Sequence, residues 1–128
     1  MRLYLSGPMT GCPNHNRPAF DAAERRLSEQ GHFVINPVNI SCTFGTPEEL
    51  AEAFAAAYAK PWQNVGSYEA HARRLRLAGA VMDAYLAAVR SCDAIYLLRG
   101  WKNSRGAKKE LAEALKYNLE VIVEGSEP

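Results

Sequence analysis

The residues best suited to chemistry lie in the segment G-W-K-N-S-R-G-A-K-K-E-L-A-E-A, residues 100–114. Ser104 is placed to cap a helix, and the N-terminus of that helix would favour a phosphate. Gly106 lets a ligand approach the backbone closely. Glu110 follows about one turn into the helix. A carboxylate there ordinarily serves the helix dipole on a solvated face, and so do Glu113 and Glu120. A second unusual stretch, Ser6-Gly7-Pro8-Met9-Thr10-Gly11, opens a loop that runs to Arg17. Its glycines permit close backbone approach and its free N–H groups can cradle an anion, or it is simply a tight turn. It is neither G-x-G-x-x-G nor a Walker loop, so neither dinucleotide nor ATP binding is signalled.

Those loops need strands to hold them. Leu3-Tyr4-Leu5 is a short apolar run stopped by Ser6-Gly7-Pro8, which reads as a buried strand feeding a loop. Pro18 suits a first helical turn, Phe20, Ala23 and Leu27 follow helical spacing, and Gly31 closes that helix. Phe33-Val34-Ile35 reads as a second strand ended by Asn36-Pro37, followed by a loop over 38–46. Thr46 and Pro47 start a helix to about Tyr58. A linker over 61–67 and a long helix from about Tyr68 to Ser91 follow, with Gly79 a place to bend or split it. Ala94 to Leu98 is a third strand, Gly106 to Tyr117 a helix, Val121-Ile122-Val123 a last strand, and 124–128 a frayed tail. The order β-α-β-α-α-β-α-β predicts a doubly wound, mostly parallel sheet of four to five strands. It would be a flavodoxin-like or Rossmann-like three-layer sandwich in a single domain over 1–128. Ligands in such a sheet bind beyond the carboxyl ends of the strands, where both loops emerge. The stretch 43–80 is less strongly patterned and reads as a lid or an oligomer element.

Composition narrows the partners. A formal net charge of +1 gives no electrostatic case for nucleic acid or a membrane surface. The three cysteines, Cys12, Cys42 and Cys92, include no C-x-x-C pair, so reduced thiols in a cytoplasmic setting fit best. No signal-peptide core or membrane-length apolar run is present. Three scattered histidines without clustered acids argue against a metal site. His15, in the first loop, reads as a solvated residue or a ligand contact; Cys12 has no paired base that would make it a nucleophile.

The segment N-S-R-G-A-K-K-E-L-A-E-A, together with Tyr4-Leu5-Ser6-Gly7, resembles the signature of the nucleoside 2-deoxyribosyltransferase superfamily. The fuller combination Y-L-S-G-P-M-T-G, N-P, C-D-A-I-Y-L-L-x-G-W and S-R-G-A is most similar to a poorly characterised branch found in bacteriophage and bacterial genomes. The likeness covers residues 1–37 and 81–123, and not 43–80. It implies Glu110 as nucleophile, Tyr4 beside it, and Ser104, six residues earlier, in the phosphate site of monophosphate-specific members. It implies a substrate site from Ser6, Gly7, Pro8 and Met9 in one loop and Trp101, Ser104 and Gly106 in the other, with Trp101 stacking on a base or packing over the sheet edge. Arg99, Lys102 and Arg105 would offset phosphate charge. Ala112 stands where the family has Gly. The family's acid, an Asp eight residues before the strand Asp, falls on Tyr85 when counted back from Asp93. The nearest carboxylate is Asp83, two residues earlier and about 200° around a helix. Asp93 itself reads as structural.

The chemistry implied is double displacement at C1′ of a deoxynucleoside or its 5′-monophosphate, without a cofactor. Glu110 attacks, the base leaves, and water or a second base resolves the glycosyl ester. Family members often complete their sites across subunits, which implies a homo-oligomer. Two rivals are a nucleotide-binding module that has lost the acid, and an interaction protein whose loops only cap the sheet.

Overall fold

In the computed structural model, residues 1–9, 16–59 and 67–126 are described. Thr10 to His15, and with them Cys12 and His15, lie outside them, as does most of the linker expected over 61–67.

The strands are β1 (Arg2–Ser6), β2 (Phe33–Ile35), β3 (Ala94–Leu97) and β4 (Glu120–Val123). The helices are α1 (Arg17–Glu29), α2 (Pro37–Ser41), α3 (Pro47–Tyr58), α4 (Tyr68–Arg90) and α5 (Arg105–Lys116). All neighbouring strands pair parallel, in the order β2-β1-β3-β4. The chain is therefore an α/β protein with a doubly wound, four-stranded parallel sheet and the flavodoxin-like strand order. The chain adds β2 on one side of β1 and then β3 on the other, so the order of winding reverses between β1 and β3 and the crevice forms above their carboxyl ends.

Alternation along β1 sorts the two faces. Leu3 and Leu5 pack with Phe20, Ala23 and Leu27 of α1. Tyr4 points the other way and joins Val81, Tyr85 and Val89 of α4 and Ala114 of α5. Both faces are buried, which is why the strands read as continuous apolar runs. Asp93 serves the amino end of the sheet: its carboxylate accepts from the Arg2 N–H at 2.8 Å, and its own N–H donates to the Arg2 carbonyl.

Local signals set the helix starts. Thr46 and Glu49 form a reciprocal capping box on α3, with Pro47 in its first turn. Ser67 caps α4 and Ser104 caps α5. Three expectations need correction. Residues 38–46 are not all loop: Asn36 accepts from the Val38 N–H at 3.0 Å and Pro37 presets the turn, starting the short α2. That helix is too short for any periodicity to register. Gly79 does not split α4, which runs unbroken from Tyr68 to Arg90; it faces solvent with nothing within 4 Å of where a side chain would begin. The segment after β4 is ordered through 126, because Glu124 accepts from the Arg99 N–H at 3.1 Å and pairs with Arg26 and Arg99. Among the described residues, no helix is long and apolar enough to cross a membrane.

Candidate functional site

β1 and β3 run side by side to Ser6 and Leu97, and the Leu98 N–H donates to the Ser6 carbonyl at 2.8 Å. The two loops therefore leave the sheet in contact. At Gly7 a Cβ would sit 2.9 Å from the Leu98 Cβ, so this crossing admits glycine alone without a shift. Past Leu98 the chain turns through Gly100 at φ 88, makes one 3-10 turn over Trp101–Asn103, and enters α5 under the Ser104 cap.

α5 then directs Glu110 back toward β1. Glu110 is 5% exposed, which removes the solvated-face reading. The Tyr4 hydroxyl donates to Oε2 and the Ser6 hydroxyl donates to Oε1 at 2.7 Å. Tyr4 and Ser6 are two apart on a strand, so both present the same face to the carboxylate. Burial drives the Glu110 carboxyl from the ordinary 4.5 up to about 7, against the two hydroxyl hydrogen bonds, which favour the charged form. Burial likewise holds the Tyr4 phenol well above its ordinary value, with the Glu110 charge adding to it. Tyr85, on α4, is pushed up to about 12 by burial and by the Glu110 charge, while the Ser41 hydroxyl acts the other way.

Above this carboxyl lies a cavity of about 360 Å³. Gly7, Pro8 and Met9 line it from the first loop; Ser104, Gly106 and Glu110 line it from the second loop and α5; Tyr85 lines it from α4. Seven of the residues expected at the site thus share one cavity, and Tyr4 and Ser6 lie directly beneath it, bonded to Glu110. Two do not belong. Asp83 is exposed on α4, on a different face from Tyr85, as the rotation of a helix requires. Trp101 does not line the cavity; its ring packs against the core on the α4 side and carries Lys102 at 5.9 Å. Of the three cations expected near a phosphate, Arg105 lines the cavity and Arg99 is paired with Glu124.

The unexpected half of the site comes from α2 and α3. Val38, Ser41, Leu50 and Phe54 form much of the wall. A sequence signal for this existed: Leu50, Phe54 and Tyr58 recur at i, i+4 spacing, a stripe that needs a partner surface. The far end of α3 is tied down by α5. Arg105 donates to the Tyr58 carbonyl at 3.2 Å, and the Tyr58 ring takes Arg105 and Lys109 each at 5.2 Å. From the segment 43–80, Gly45, Pro47, Leu50, Ala51, Phe54 and Tyr58 thus line the crevice. Among the described residues, no three metal-ligating side chains converge.

Residues 1–60 and 44–123 match the sequence profile of a family described as a domain of unknown function, DUF4406. No curated protein matches the chain, and no solved structure does.

Proposed function

The chain belongs to the DUF4406 family, and we propose that it is an N-glycosidase or deoxyribosyltransferase of the nucleoside 2-deoxyribosyltransferase type. Its substrate is a deoxynucleoside or deoxynucleoside 5′-monophosphate. The observation that carries this reading is Glu110: a buried carboxyl held by the Tyr4 and Ser6 hydroxyls, lining a cavity at the β1/β3 switch point. Structural carboxyls of helices face solvent or pair with cations; this one faces a cavity and hydroxyls.

In the proposed reaction, Glu110 attacks C1′ as the bond to the base breaks, and its negative charge stabilises the oxocarbenium-like transition state. Tyr4 and Ser6 fix both carboxylate oxygens, so the nucleophile is oriented before substrate arrives. The α5 N-terminus, with Ser104 and Gly106, holds the 5′-hydroxyl or 5′-phosphate. A neighbouring copy of the chain completing the site is part of this reading. The test is incubation with a panel of deoxynucleosides and their monophosphates, following free base. Release by wild type and its loss, by several orders of magnitude, in Glu110→Ala supports the assignment. Full activity in Glu110→Gln overturns it.

A second reading is favoured by one observation. Tyr85 stands where an acid would be needed, and a phenol with a pKa of about 12 is a poor proton donor at neutral pH. In that reading the protein binds nucleotides without cleaving them. A thermal shift with intact ligand, together with activity gained in Tyr85→Asp, would distinguish it.

A further inference from the structure

The wall facing Glu110 is soft. Met9 comes from the first loop, Phe54 from α3, and Met82 and Tyr85 from α4. The Tyr85 hydroxyl lies 4.0 Å from the Met9 sulfur. A Cβ on Gly106 would sit 3.6 Å from the Met82 methyl, which places that thioether over the α5 N-terminus. Tyr58 already has its ring engaged by Arg105 and Lys109, so it is not part of this set. Two thioethers and two rings around a cavity whose carboxyl is Glu110 suit an organic cation. Ring faces attract positive charge, sulfur polarises toward it, and the carboxylate supplies the counter-charge. Among the described residues lining the cavity, Glu110 is the only carboxyl and none is histidine; of its two arginines, Arg17 pairs with Asp21 at 3.5 Å and Arg105 donates to the Tyr58 carbonyl.

Resting on the glycosidase reading above, we propose that the favoured substrate is a deoxynucleoside or its 5′-monophosphate whose base is a cation, alkylated at a ring nitrogen. Such a base needs no acid to leave. Glu110 forms an ester bond to C1′ as the C1′–N bond breaks. The electron pair of that bond passes to the ring and cancels its positive charge, so the base departs neutral and takes up no proton. Water then attacks C1′, the ester C1′–O bond breaks, the carboxylate is regained, and the proton of water goes to solvent. The cation above Glu110 also favours the ionised carboxylate that the first step requires. The phosphate, when present, meets Arg105 and the α5 N-terminus rather than the soft wall.

The test compares 7-methyl-2′-deoxyguanosine with 2′-deoxyguanosine, each also as its 5′-monophosphate. Base release by the full chain is followed and spontaneous release subtracted. We expect kcat/KM at least about 100-fold higher for the methylated substrate, the scale of the general-acid contribution it does without. Phe54→Ala should lose about tenfold more on the methylated substrate than on the unmethylated one, as should Phe54→Leu, which keeps bulk and removes the ring. Comparable cleavage of the two guanosines by wild type, or equal losses on both in the Phe54 variants, overturns the cation proposal and leaves the glycosidase reading standing. Release of base from none of the four substrates overturns the glycosidase reading, and this proposal with it.

Discussion

Glu110 is a carboxyl that folding has put where its charge is costly. Two hydroxyls hold it, no cation among the described residues does, and burial wins, so it titrates at about 7. A nucleophile must be ionised. On the proposed chemistry, kcat/KM should therefore rise with pH through about 7 and level off above it, measured from initial rates of base release. A rate that falls over that window would mean Glu110 works protonated, as an acid. Tyr4 provides the companion test. Its hydroxyl donates to the charged form, and removing a donor to the charged form raises a pKa. Tyr4→Phe should thus move the rising limb to higher pH, by up to about one unit, and cost more activity on the acid side than on the alkaline side. An unmoved limb would mean that the hydroxyl does not hold the carboxylate in solution.

At the scale of elements, two glycines in facing loops should respond in opposite ways. Gly7 is pinned between β1 and the Leu98 side chain, with a Cβ contact of 2.9 Å awaiting any substitution. Gly7→Ala should destabilise the fold by about 1–3 kcal/mol in urea denaturation, as overpacking does. Gly106 lies in the first turn of α5, and a Cβ there would meet Met82 at an ordinary 3.6 Å. Gly106→Ala should leave the fold as stable or up to about 1 kcal/mol more so, since alanine favours helix. It should nevertheless raise KM by intruding on the cavity. Equal loss of stability in both variants would contradict this assignment of their roles. The same elements show what sequence can and cannot carry. The four strands, the Ser104 cap and the Thr46 cap are local signals, and each was legible. α2 was not, because a helix of five residues spans too few turns to show a period. α3 was legible as a helix, but where its Leu50-Phe54-Tyr58 stripe lands depends on how the chain returns over the sheet. Trp101 illustrates the converse. It sits in the right loop, yet the 3-10 turn carries its ring to the core side.

For the whole molecule, the strand order gathers chemistry at one end and structure at the other. Asp93 ties β1 to β3 at the amino end, while Tyr4, Ser6 and Glu110 meet toward the carboxyl end. That separation followed from parallel strands and was legible early; Tyr4 beside Glu110 was implied by the resemblance alone, and Ser6 joining it on the same carboxylate was not legible, because it depends on the rotation of α5. The arrangement has a thermodynamic consequence. In the unfolded chain Glu110 titrates near 4.5, and in the folded chain at about 7. Between those values the folded state binds more protons, so its stability falls as pH rises. The contribution is fully present below 4.5 and is lost as pH climbs through about 7. Over that interval the loss is on the order of 3 kcal/mol, a large share of the 5–15 kcal/mol typical of a domain. Glu110→Gln keeps the shape and removes the ionisation. Near pH 4 the variant and wild type should unfold at similar urea concentrations. Near pH 8 the variant should be the more stable by on the order of 3 kcal/mol, though catalytically dead. Should the variant instead be the less stable at pH 8, the hydroxyls of Tyr4 and Ser6 would outweigh burial, and Glu110 would be an ordinary ionised carboxylate across the neutral range.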